Sequence, residues 1–164
     1  MKWGIECYRD APIDETFVHG LFYRLVAEGA RYNAAKYPGS FFISGNCHDE
    51  VFEEEEIEDR THKISNIITK YGSFDTSKTS LTVNLNYIGD AEFYFSVGIR
   101  PNSNATVVDI QTTTNEIQSD EEFMTVVTLC KRVIESFEFT HCRYTNENRG
   151  GLEFDSESFI ENPG

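Results

Sequence analysis

A chain of 164 residues with 28 Asp and Glu against 14 Lys and Arg, a formal net charge of −14, falls within the size of one domain and repels phosphate backbones. Aromatic residues make up 13%, a payload that acidic disordered chains lack, so the composition points to a folded core. The charge speaks against nucleic acid as a partner, and aromatic residues without basic neighbours do not build a base-stacking platform.

The N-terminus, Met1-Lys2-Trp3-Gly4-Ile5-Glu6-Cys7-Tyr8, has neither an apolar stretch nor a small-residue cleavage site, so it does not read as a signal peptide. No segment approaches the ~18 apolar residues of a membrane span. Cys7, Cys47, Cys130 and Cys142 are scattered without a CxxC pair, which suits reduced, buried thiols better than a disulfide framework. These features together predict a cytoplasmic protein that does not associate with membranes.

Residues 2–8 alternate as a first strand. Asp10-Ala11-Pro12-Ile13-Asp14 breaks it, with Asp14 placed to cap a helix. Phe17, Val18, Leu21, Phe22, Leu25 and Val26 then recur at three- and four-residue spacing, and the helix is expected to run toward Tyr37-Pro38-Gly39. Ser40 to Ser44 reads as a short buried strand. Ile57, Thr61, Ile64, Ile68 and Tyr71 follow a helical period, which predicts a second helix from about residue 55 to 71. Its acidic start suits the helix dipole.

Residues 79–114 carry the clearest pattern. Leu81, Val83, Leu85 and Tyr87 alternate with polar residues, as do Phe93, Phe95, Val97 and Ile99. A two-residue Gly89-Asp90 turn would set Asn84 opposite Phe95 and mix the faces. An odd loop over Ile88 to Asp90 pairs Leu85 with Phe93 and Val83 with Phe95 instead. A four-residue loop, Pro101 to Asn104, pairs Val97 with Val108 and Phe95 with Ile110. Ser119-Asp120-Glu121-Glu122 is a capping box leading into Phe123, Val126, Val127, Cys130, Val133, Ile134 and Phe137. Phe139 to Tyr144 makes a last strand.

The predicted order is β-α-β-α-β-β-β-α-β. It describes an α+β fold: a central antiparallel sheet, comprising the three-stranded meander 79–114 plus further strands, with three helices packed mainly on one face. Residues 1–145 form one acidic domain. Residues 146–164 form a polar tail with Gly150-Gly151 as a hinge, and Leu152, Phe154, Phe159 and Ile160 equip it to dock on the body or on a partner.

Chemistry-bearing motifs are few. Cys47-His48 and His141-Cys142 hold the ligand types that zinc takes. Adjacent ligands on a strand point to opposite faces, however, and the usual two- to four-residue ligand spacing is absent. A Cys–His nucleophile built from Cys47 or Cys142 with His141, His48 or His19 is the enzymatic alternative. No Walker loop, Gly-x-Ser-x-Gly elbow or Gly-x-Gly-x-x-Gly accompanies it, and no cofactor is implied. His62, beside Asp59 and Lys63, reads as solvated.

The acidic runs remain. Asp49, Glu50, Glu53, Glu54, Glu55 and Glu56 form the densest. They read either as a solvated face, suited to solubility or high salt, or as a docking surface for a basic protein. Tyr94, turned away from Phe93 and Phe95 by the alternation, is the candidate aromatic anchor. The leading expectation is a non-enzymatic acidic binding protein that masks a basic partner, in the manner of an immunity protein or inhibitor of a toxin such as a nuclease. A structural or assembly subunit docking through its tail is the other alternative.

Overall fold

The computed structural model describes residues 2–34, 38–45, 51–55, 63–88, 92–113, 120–146 and 150–154. In chain order the elements are β1 (Lys2–Arg9), α1 (Glu15–Ala27), β2 (Ala30–Arg31), β3 (Ser40–Gly45), β4 (Val51–Glu55) and α2 (Ile64–Gly72), followed by β5 (Thr79–Ile88), β6 (Glu92–Asn102), β7 (Ala105–Thr113), α3 (Asp120–Glu135), β8 (His141–Asn146) and β9 (Gly150–Phe154). The strands form one antiparallel sheet in the order β4-β3-β5-β6-β7-β1-β8-β9, and β2 extends the β3 side of β5. The α+β class and the central meander are as the alternation predicts.

One apolar cluster unites sheet and helices. Ile5, Cys7, Phe41, Leu81, Val83, Leu85, Phe95, Val97, Ile110 and Cys142 from the strands pack with Phe17, Leu21, Phe22 and Leu25 of α1, Ile67 and Tyr71 of α2, and Val126, Cys130 and Ile134 of α3. Burying each large aliphatic or aromatic side chain contributes about 1.5–3 kcal/mol before the entropy of ordering it is set against the gain.

Helix α1 starts where Asp14 caps it: the carboxylate accepts from the Phe17 amide at 2.8 Å. Arg9 adds an ion pair to Asp14 at 3.2 Å and lies over the Phe17 ring at 4.4 Å. The helix ends ten residues earlier than the expected Tyr37. Glu28 is the C-cap, and Gly29 takes a φ of 114°, a left-handed conformation that side-chain-bearing residues avoid. The chain then pairs as β2 with Tyr87 and Asn86 of β5.

The expected helix from 55 to 71 is corrected at its start. Val51–Glu55 is a strand, and the helix begins at Ile64. Clustered carboxylates repel along a helix face, whereas in β4 they pair in register with Phe41, Phe42 and Ile43 of β3. The same periodicity does place Ile68 and Tyr71 in the core.

Both meander hairpins are shifted by two residues from expectation. Leu85 pairs with Phe95 and Val83 with Val97, not with Phe93 and Phe95. Likewise Val97 pairs with Ile110 and Ile99 with Val108. Asn102 faces Ala105, so the second loop is only Ser103-Asn104, with Ser103 at φ 55°. Pro101 therefore belongs to the strand, opposite Thr106.

Beyond β8 the chain does not leave the sheet at once. β9 pairs Gly150 with Asn146 and Gly151 with Thr145, so the two glycines sit within a hairpin ladder.

Candidate functional site

The acidic run lies on the terminal strand of the sheet. Glu53, Glu54 and Glu55 belong to β4, paired on one side with Ile43, Phe42 and Phe41 of β3, and no strand pairs with the other side among the described residues. The ladder shifts register between Ile43 and Ser44, an irregularity of the kind that blunts sheet edges. Asp49, Glu50 and Glu56 lie outside the described residues.

Tyr94 is not brought to that edge. It sits on β6, half-buried and opposite Asn86 of β5, and its carbonyl accepts from the Thr112 hydroxyl at 2.9 Å. Two strands, β3 and β5, separate β6 from β4, a span of about 14 Å at sheet spacing. The Tyr94 row also runs toward β2, whereas the β4 rows cross Leu81 and Val83.

The sequence motifs His141-Cys142 and Cys47-His48 separate as well. Cys142 is fully buried in the apolar cluster, opposite Cys7 of β1. His141 stacks on Tyr8 with ring centroids 4.2 Å apart and planes 11° from parallel. The two side chains of that dipeptide thus serve opposite faces of β8 and do not converge on one ligand or one reacting atom. Cys47 and His48 lie outside the described residues. His19, on α1, is half-exposed and pairs with Glu15 one turn earlier at 3.4 Å.

A polar network missed from the sequence occupies the second face of β6, β7, β1 and β8. Residues of β1 alternate, so Glu6 and Tyr8 lie opposite in direction to Ile5 and Cys7. Glu6 pairs in register with Asp109 on one side and Arg143 on the other. Its Oε2 accepts from Tyr8 Oη at 3.1 Å and from Arg100 Nη2 at 3.2 Å. Val107, in register between Arg100 and Tyr8, is fully buried.

Asp109 is the unusual member. Its carboxylate lies across Gly98. Burial raises its carboxyl above the ordinary value, with Arg100 opposing the shift and Glu6 adding to it. Tyr8 is raised too, by burial first and then by its bond to Glu6. The alternation predicts which residues share this face, but only the register says which of them meet.

A second concave feature lies between α1, α3 and the end of β5: a cleft of about 330 Å³ lined by Glu28, Tyr87, Met124, Thr128, Leu129 and Arg132 among others. Glu28 bridges the two helices, accepting from Arg24 at 2.9 Å and Arg132 at 2.8 Å. Met124 is half-exposed at its rim. Among the described residues no three His, Cys, Asp or Glu side chains converge as a metal site, and no helix is long and apolar enough to cross a membrane. No protein-family model, curated protein or solved structure matches the chain.

Proposed function

We propose that this chain is a cytoplasmic, non-enzymatic binding protein that masks a basic protein partner through its acidic surface, in the manner of an immunity protein or toxin inhibitor. The observation that supports this reading is the position of Glu53, Glu54 and Glu55 on the terminal strand β4. A terminal strand offers unpaired N–H and C=O groups to a docking chain. Three consecutive Glu residues on that strand make the offer selective, repelling an acidic copy of the same chain and attracting a basic partner. With a net charge of −14 behind it, the edge also gains long-range steering of such a partner.

The test is capture from native host lysate by the tagged full chain at low and moderate salt, followed by kinetics with the retained protein. The expected result is one basic protein held stoichiometrically, whose association slows roughly tenfold and loses salt dependence when Glu53, Glu54, Glu55 and Glu56 become Gln. Capture of nothing, or association kinetics unchanged by the four substitutions, overturns the reading.

A further inference from the structure

Strands β1 and β8 are antiparallel neighbours, and their register sets Cys7 directly opposite Cys142. Directly opposed residues in such a ladder have Cα atoms about 4.5–5.5 Å apart, inside the roughly 4.4–6.8 Å range of disulfides. Both side chains point into the core, at 3% and 0% exposure. Cys130, the third buried thiol, comes from α3 and has no such strand register with either. We propose that Cys7 and Cys142 are a latent cross-strand disulfide, closed by exchange with a small disulfide such as oxidised glutathione, that locks the β8–β9 hairpin to β1.

The chemistry balances within that exchange. The thiolate of one cysteine attacks a sulfur of the small disulfide, forming a mixed disulfide and expelling one small thiolate. The second cysteine, as thiolate, attacks the protein sulfur of the mixed disulfide and expels the other. One protein S–S bond replaces two S–H bonds, and the two protons and two electrons leave on two small thiols. When β8 pairs again with β1, the register returns Cys142 to Cys7 for the second step.

Burial governs the rate. It pushes the Cys7 thiol well up, with the neighbouring Cys142 adding to the effect, so little thiolate exists in the closed sheet. Exchange therefore passes through opening of β8 and β9, which form the last two strands on that side of the sheet. Once closed, the bond encloses the chain from residue 7 to residue 142 and ties its two ends together.

The experiment refolds the full chain from denaturant in a glutathione redox buffer, so that access to the thiols is not limiting. The product is examined by intact mass and by non-reducing peptide mapping. The expected product is ~2 Da lighter, the loss of two hydrogens, with Cys7 and Cys142 peptides joined. Its thermal midpoint rises by roughly 5–10 °C and returns to the parent value on reduction. Cys130→Ser keeps the link and the shift, whereas Cys142→Ser loses both. A fully reduced product, or a link through Cys130 or Cys47, overturns the proposal on the parent chain alone, whether or not any variant folds.

Discussion

The carboxylate of Asp109 occupies the space that a side chain at residue 98 would need: a Cβ on Gly98 would lie 2.6 Å from Oδ2 and 2.9 Å from Oδ1. The two residues are register partners across β6 and β7. Glycine is thus placed in the middle of a central strand, where it weakens the ladder, because a carboxylate leans over it. Gly98→Ala is expected to cost about 1–3 kcal/mol by forcing that carboxylate aside. In an Asp109→Ala background the same change should be neutral or mildly stabilising, since the obstruction is gone and the strand gains a better residue. A double-mutant cycle by urea denaturation checks this. Additive effects would mean that the two side chains do not compete for that space.

Asp109 also carries a pH signature. Its carboxyl is raised by burial, against Arg100 and with Glu6, so just above the ordinary Asp value the folded protein holds more of this proton than the unfolded chain does. The stability this contributes is complete below the ordinary Asp value near pH ~4 and is lost as pH rises through the raised value. Asp109→Asn removes that slope. The variant should be more stable than the parent at pH 7 by about 1 kcal/mol, and the gap should close as pH falls below ~4. Stability curves of the two proteins that stay parallel from pH 4 to 8 would contradict the assignment.

Glu28 presents a carboxylate at the C-terminal end of α1, where the helix dipole disfavours negative charge. Arg24 and Arg132 offset this from two helices, at 2.9 Å and 2.8 Å. Removing Arg132 leaves the largely buried Glu28 with one cation instead of two, so Arg132→Met should lower the urea midpoint. In a Glu28→Gln background the same substitution should have little effect, and high salt should shrink the parent difference. Equal shifts in both backgrounds would show that Arg132 acts through packing of its stem.

The pattern of hits and misses in the sequence has a physical cause. Alternation settles which residues of a strand share a face, and Leu81, Val83, Leu85, Phe93, Phe95 and Val97 all lie buried as expected. A slip of two residues leaves every side chain on its face, so alternation is blind to it, and both hairpins slipped by two. Ser103 in the left-handed region shortens the second loop, and serine carries no strong signal for that conformation. The end of α1 was misplaced toward Tyr37, although Gly29, in the left-handed region after the Glu28 cap, is the helix-terminating signal that the apolar spacing alone does not weigh. β4 was not legible: Glu53 to Glu55 have low strand propensity, and the ladder to β3 sets their state. The network around Glu6, Arg100 and Asp109 joins residues about a hundred positions apart, and only the strand order brings them together.

The terminal position of β4 leads to a last prediction. An unguarded terminal strand pairs with another copy of itself, and charge on that strand is a common defence. Replacing Glu53, Glu54 and Glu55 with Thr keeps the backbone pairing to Phe41, Phe42 and Ile43 and raises strand propensity while removing three charges. The variant should retain or exceed the thermal midpoint of the parent and yet self-associate through the β4 edge. Sedimentation at rising protein concentration reads this directly, and moderate salt, by screening the remaining repulsion, should strengthen the association. The same three residues then have separable roles, since Gln at these positions tests attraction of a basic partner and Thr tests exclusion of like copies. A Thr variant that sediments as the parent does would mean that the edge is guarded by something other than its carboxylates, such as the register shift at Ile43 and Ser44.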